Sequence, residues 1–139
     1  MNRPIFIDTS AWIAIISPKD KYHAAAKAFY ADLLARHRHL LISNFIVAEA
    51  YTHLLWKLGH HKAISFLGIV ERSTSVKCVW SDRSLEMHAR DILLRYDDQA
   101  FSYTDAVSLA VMEHLGILEA FAFDNHFSVA GFTRLPAEL

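Results

Sequence analysis

One cysteine, four glycines and three prolines in 139 residues narrow the field before any motif is read. A lone thiol, Cys78, forms no internal disulfide, so the chain is not a stapled secreted scaffold and fits a reducing compartment. Cys78 stands in the apolar run Val76-Lys77-Cys78-Val79-Trp80 and reads as core rather than nucleophile. None of the nine histidines has HExxH spacing and none pairs with cysteine, which removes the usual zinc frameworks. No apolar run reaches the ~20 residues needed to span a bilayer, so no membrane partner is expected. The start, Met1-Asn2-Arg3-Pro4-Ile5, lacks a secretory apolar region and leads straight toward a strand. A cytoplasmic protein is the expectation. No repeat, low-complexity tract or Gly/Pro/Ser-rich linker divides the chain, so residues 1–139 are read as one domain.

What is abundant is apolar surface. Hydrophobic residues make up 53% of the chain. A domain of this length buries roughly two-thirds of its unfolded surface, enough for a core without staples. The apolar excess implies that a partner or a second copy covers part of the outside. Net charge is −1, which taken alone argues against nucleic acid. If four acids gather in one site, however, eleven are left elsewhere against fourteen Lys and Arg, and the outer surface becomes mildly basic.

The chain is organised around Ile5-Phe6-Ile7-Asp8-Thr9-Ser10. Phe and Ile suit a strand buried on both faces. Ser10 suits the N-cap of a helix running to Ile16, which Ser17-Pro18 ends. Tyr22 to His37 has helical spacing, with Ala25, Phe29 and Leu33 along one face. Leu40-Leu41-Ile42 is a short buried strand. Ser43 and Asn44 can cap a helix from Phe45 to Leu58, closed by Gly59. In that helix Ile46, Ala50, His53 and Lys57 share one side, and Phe45, Glu49 and Thr52 another. His60 to Arg72 is a helix, with His60-His61 as its solvated start, and Val76 to Trp80 is a strand. Ser81-Asp82 opens a helix to about Tyr96, and Asp97-Asp98-Gln99-Ala100 is a loop. A helix from Ser102 to Gly116 begins with a capping-box pattern in which Asp105 takes the acid position. Ala120 to Phe123 is a strand ending on Asp124, Asn125-His126-Phe127 a short helical piece, and Gly131 to Arg134 an edge strand. Strands alternate with helices throughout, so the class is α/β with a mostly parallel sheet.

Four acids stand out. Asp8 and Asp124 follow strands, Asp105 lies in the first turn of a helix, and Glu49 sits in the apolar window Phe45-Ile46-Val47-Ala48-Glu49-Ala50. Each has a plain structural explanation: a dipole contact for Asp105, a turn for Asp124, a cap for Asp8, an arginine partner for Glu49. Together they point elsewhere, because ligands of open parallel sheets sit off the C-terminal ends of the strands, where helices that follow strands also begin. Carboxylates crowded into one cleft repel, and one or more must bind a proton unless a cation is present. An all-oxygen donor set favours Mg²⁺ or Mn²⁺ over Zn²⁺, and such ions suit phosphodiester hydrolysis.

The stretches Phe6-Ile7-Asp8-Thr9-Ser10, Val47-Ala48-Glu49, Tyr103-Thr104-Asp105-Ala106-Val107 and Phe123-Asp124-Asn125-His126-Phe127, in this order and spacing, resemble the PIN-domain family. Within it the chain is most similar to the VapC-like toxins of type II toxin–antitoxin pairs. The resemblance spans nearly the whole chain. It implies a five-stranded sheet of order 3-2-1-4-5 flanked by helices, and a Mg²⁺- or Mn²⁺-dependent ribonuclease acting by in-line attack of activated water. It also implies an antitoxin partner and a homodimer. By the same resemblance Asp8 and Asp105 are the principal metal ligands. Glu49 orients water or binds the ion through it, Asp124 completes the cluster, and Thr9 and Thr104 offer hydroxyls to the metal or a phosphate. His126 lies beside this set, with a structural role expected.

Two other readings were open. A PIN-like module that binds RNA or protein without cutting is the alternative, and the intact set of four acids argues against it. A phosphatase or receiver-like domain wants a second acid two residues after the first Asp, where this chain has Ser10. Trp12, Trp56 and Trp80, interleaved with aliphatics, read as core or interface. Arg36, His37, Arg38 and His39 form a basic spot too small to trace a path for RNA.

Overall fold

The computed structural model describes residues 3–137, so Met1 and Asn2, read above as leading into the first strand, lie outside the described residues, as do Glu138 and Leu139. Five strands alternate with seven helices: β1 (Ile5–Ile7), α1 (Thr9–Ile16), α2 (His23–Ala35), β2 (Leu40–Ser43), α3 (Asn44–Leu58), α4 (His60–Arg72), β3 (Val76–Val79), α5 (Arg83–Arg95), α6 (Tyr103–Leu115), β4 (Glu119–Phe121), α7 (His126–Val129) and β5 (Thr133–Leu135). The strands form one sheet in the order β3-β2-β1-β4-β5. Every neighbouring pair is parallel, with Ile5 opposite Leu40 on one side and Glu119 on the other. Parallel pairs need a crossover between them, and helices supply it here.

β1 is the central strand, and its three residues are fully buried, as is expected of a strand covered on both faces. Trp12 is buried as well, edge-on to Tyr30 at 5.5 Å and to Phe66 at 5.3 Å, so α1, α2 and α4 meet around one indole. α6 is the core helix: every residue from Asp105 to Met112 is buried. A helix with apolar residues on all sides has to be enclosed. No helix among the described residues is long and apolar enough to cross a membrane.

The structure corrects several expectations. Ser10 is not the N-cap of α1: Asp8 caps it, and the helix starts at Thr9. Asp is as good a cap as Ser and sits one residue before the helical turn, so the earlier residue takes the position. In α2 the buried residues are Ala26 and Leu33 with Phe29 and Tyr30 half-buried, while Ala25 is exposed. Both faces have helical spacing, and the one with Ala26 carries Tyr30, which packs against the buried Trp12. β4 ends at Phe121, so Asp124 sits in a turn beyond the strand rather than directly on its end. Of the three tryptophans read as core or interface, Trp12 is core, while Trp56 and Trp80, 78% and 75% exposed, keep only the interface reading.

Gly59 joins α3 to α4 with φ 91° and ψ 175°. This region is essentially closed to residues with a Cβ. A Cβ built there meets nothing within 4 Å, so the obstacle is backbone strain alone. Gly59→Ala is expected to destabilise the fold by about 1–3 kcal/mol, measured as a shift of the urea midpoint with the slope unchanged.

Candidate active site

The C-terminal rim of the sheet collects three aspartates. Asp8 follows β1, and only 2% of its surface is exposed. Its Oδ2 accepts from the Ser10 N–H at 3.2 Å and the Ser10 hydroxyl at 2.6 Å. The same hydroxyl oxygen accepts from the Phe123 N–H at 3.0 Å. The Asp8 N–H in turn donates to the Phe121 carbonyl at 3.0 Å. Ser10 therefore ties the end of β1 to the segment leaving β4 and fixes the Asp8 rotamer. Sequence reasoning saw only a cap here; the bond to Phe123 spans more than a hundred residues and has no local signature.

Asp105 comes from the first turn of α6 through a complete capping box. Its Oδ2 accepts from the Ser102 N–H at 2.9 Å, and its own N–H donates to the Ser102 hydroxyl at 3.0 Å. One bond thus orients the carboxylate and the other fixes the backbone that carries it, and the helix N-terminus favours its charge. Asp124, half-buried, comes from the turn between β4 and α7. His126 Nε2 lies 3.4 Å from Asp105 Oδ2 and 3.7 Å from Asp124 Oδ1, and its ring stands edge-on to Phe101 at 5.3 Å. The imidazole thus bridges two of the acids.

Glu49 is half-buried on α3, and among the described residues it makes no hydrogen bond or ion pair. The structure does not bring it into contact with the aspartates. What fixes its helix relative to α6 is a polar chain. Asn44 Oδ1 accepts from the Ser81 N–H at 2.8 Å, the Ser81 hydroxyl donates to Glu86 at 3.1 Å, and the Tyr103 hydroxyl donates to Glu86 at 2.8 Å. Thr9 is buried and Thr104 half-buried, each one position from an aspartate.

The electrostatics are those of an acid cluster short of positive charge. Burial pushes the Asp8 carboxyl up to about 7, and the neighbouring Asp124 and Asp105 add to it against the bonds from Ser10. Burial also raises Asp124, with His126 opposing and Asp105 adding. Of four buried side-chain atoms without a hydrogen-bond partner among the described residues, two belong to this rim, Thr9 Oγ1 and Asp124 Oδ1; the others are Trp12 Nε1 and Arg38 Nε. Unpaired buried oxygens cost free energy unless something else meets them. Among the described residues no three acids or histidines close into a ready-made ligand cage. The donor set is nevertheless all oxygen on the aspartates and Thr9. Asp8 and Asp105 each have Oδ2 engaged and Oδ1 free of hydrogen bonds within the described residues. Oriented carboxylates with one unspent oxygen, beside orphaned oxygens, fit a hard divalent cation.

Residues 5–133 match the PIN domain family. The chain is 37% identical over 134 residues to the 23S rRNA-specific endonuclease VapC20 of Mycobacterium tuberculosis, covering 96% of this chain and 99% of that protein. It is 32% identical over 131 residues to a VapC ribonuclease of Archaeoglobus fulgidus, covering 92% and 81%. The crystal structure of M. tuberculosis VapC20, described as a sarcin–ricin loop cleaving toxin, superposes with a TM-score of 0.84 at 35% identity, over 93% of this chain and 96% of that one. Sheet order, aspartate rim and kinship agree: the chain belongs to the PIN-domain family, with VapC ribonucleases as its relatives.

Proposed function

We propose that the whole chain, residues 1–139, acts as a cytoplasmic, Mg²⁺- or Mn²⁺-dependent endoribonuclease. In this reading it is the toxin of a toxin–antitoxin pair and its substrate is 23S rRNA at the sarcin–ricin loop. The observation that carries this reading is the rim of three aspartates, where Thr9 Oγ1 and Asp124 Oδ1 have no hydrogen-bond partner and burial raises Asp8 to about 7. The choice of RNA rests on the relative of nearly equal length whose name and structure state that target.

Asp8 and Asp105 would hold the ion through the oxygens that Ser10 and Ser102 leave free, and Asp124 would complete the acidic set. One free oxygen per carboxylate suits a small octahedral ion better than the bidentate ligation that Ca²⁺ accepts. When bound, the cation neutralises phosphoryl oxygen charge and lowers the pKa of water. Glu49 orients the attacking water in line with the leaving oxygen, and the Thr9 and Thr104 hydroxyls donate to the phosphate. Water adds to phosphorus as the bond to the 3′ oxygen breaks, leaving 5′-phosphate and 3′-hydroxyl ends. Asp8→Asn and Asp105→Asn are expected to lower cleavage by more than roughly a hundredfold, the upper range for losing a ligand's supporting partner. Purified ribosomes with Mg²⁺, followed by primer extension on 23S rRNA, make the assay. Cleavage that persists in excess EDTA, or in either variant with its circular dichroism intact, would sink the reading.

The metal-free protein offers a second check. Asp8 binds its proton more tightly folded than unfolded. Its contribution to stability is therefore complete below pH ~4 and is lost as pH rises to about 7. The shift corresponds to about 4 kcal/mol, or on the order of 10 °C in Tm. Relative to Asp8→Asn, the metal-free wild type should melt progressively lower across this interval. Adding Mg²⁺ near neutral pH should raise the wild-type Tm and leave the variant nearly unchanged.

The chain is also proposed to dimerise and to be held by an antitoxin. Trp56, Trp80 and Leu94, each at least three-quarters exposed, support apolar surface that another protein covers. Light scattering at micromolar concentration should give twice the 15.8 kDa chain mass; a monomer removes the dimer from the proposal.

A further inference from the structure

Beside the aspartate rim runs a second cleft, of about 300 Å³. It opens at Ser10 and Asp124, which belong to the rim, and extends away between α3 and the loop joining α1 to α2. Its far walls carry two lysines and a histidine: Lys21 on the loop, beside Asp20 and Tyr22, and His53 and Lys57 on α3. The side of α3 that buries Ile46 and Ala50 against the core continues, as the helix leaves the core, into exposed His53 and Lys57. Glu49, His53 and Lys57 recur every four residues, so each step along the helix is roughly 6 Å. Along α3 the half-buried acid Glu49 is thus followed at successive turns by the exposed His53 and Lys57.

Neither lysine is spent inside the molecule. Among the described residues no ion pair or hydrogen bond takes Lys21, His53 or Lys57. The Lys21 ammonium rides over the Tyr22 ring at 4.8 Å, and that ring stacks on Phe123 at 4.5 Å and 6°, which fixes the loop against the segment that carries Asp124. Asp20 also faces the cleft, but its carboxylate accepts from the Tyr22 N–H at 2.9 Å and shapes the turn. Asp8 and Asp105 thus each keep one oxygen free of hydrogen bonds, and Lys21 and Lys57 beside them have no acid partner among the described residues. Adjacent unpaired fields of opposite sign fit a ligand that is itself a string of phosphates, one of which sits at the metal.

We propose that Lys57, His53 and Lys21 form a phosphate track that holds the RNA strand flanking the scissile bond, so that the basic cleft sets substrate affinity and the aspartate rim sets the chemistry. This rests on the ribonuclease reading above. His53 and Lys57 act as binding residues and Lys21 as the facing wall; none touches the reacting phosphorus.

The test compares wild type, Lys57→Ala, Lys57→Arg and the Lys21→Ala/Lys57→Ala double variant, with Lys77→Ala on the opposite edge strand as an equal loss of charge. All are exposed positions, and melting curves verify the fold. Cleavage of 23S rRNA in purified ribosomes gives kcat and KM. Anisotropy of a short mixed-sequence RNA on the Asp105→Asn background gives affinity against salt. Lys57→Ala should raise KM and weaken RNA binding roughly tenfold, with kcat within about twofold. Its slope of log K against log[salt] should fall by about 0.7, and the double variant's by about twice that. Lys57→Arg should restore both, and Lys77→Ala should move neither. Cleavage by wild type with unchanged KM and salt slope in the double variant overturns the track while leaving the ribonuclease reading standing. A wild type that cuts no RNA overturns both.

Discussion

A carboxylate buried at the end of a central strand is the constraint around which the molecule is arranged. Asp8 cannot retreat, because β1 is enclosed on both faces and paired on both edges. Nor can it turn aside, because Ser10 holds one of its oxygens and is itself held by Phe123. Burying charge is unfavourable unless something of opposite sign arrives. The fold supplies only partial relief: two bonds from Ser10, and a histidine that reaches Asp105 and Asp124. Unmet charge is thereby stored at one rim in a form that a cation can use, and strained electrostatics of this kind gather at functional sites.

Much of this was legible in the chain because its signals are local. Ile5-Phe6-Ile7 followed by Asp8, the capping pattern from Ser102 to Asp105, and Gly59 between two periodic runs each name their own conformation from a few neighbours. Sheet order and the placing of β1 at the centre follow from strand–helix alternation with the family resemblance, and the structure has the same order. What could not be read is what depends on distant partners. Ser10 looks like a cap until Phe123 is beside it. Ala25 and Ala26 are equivalent on paper, and only packing chooses between them. Trp56 and Trp80 look like core because an indole is apolar, yet both lie on the outside. Glu49 shows the limit from the other side: its apolar window predicts a half-buried acid correctly, but not whom it meets.

The alternative of a binding module without chemistry turns on the same residues. A protein that only holds RNA needs cations and has no use for carboxylates that repel the backbone. Here the Asp8 carboxylate accepts two hydrogen bonds and the Asp105 carboxylate one, within a capping box, each with one oxygen engaged and the other available. Orienting a carboxylate so closely is of value to ligation and geometry and adds nothing to simple affinity. The two fields, acidic at the rim and basic along α3, divide chemistry from grip on one continuous surface.

The parallel topology has a consequence in time. Residue 8 leaves the ribosome more than a hundred residues before β4, residues 119–121, which completes the sheet beside its strand. Until then β1 lacks one neighbour, Ser10 lacks Phe123, and Asp124 does not yet exist. Until β4 has emerged, a growing chain therefore has no complete acidic rim.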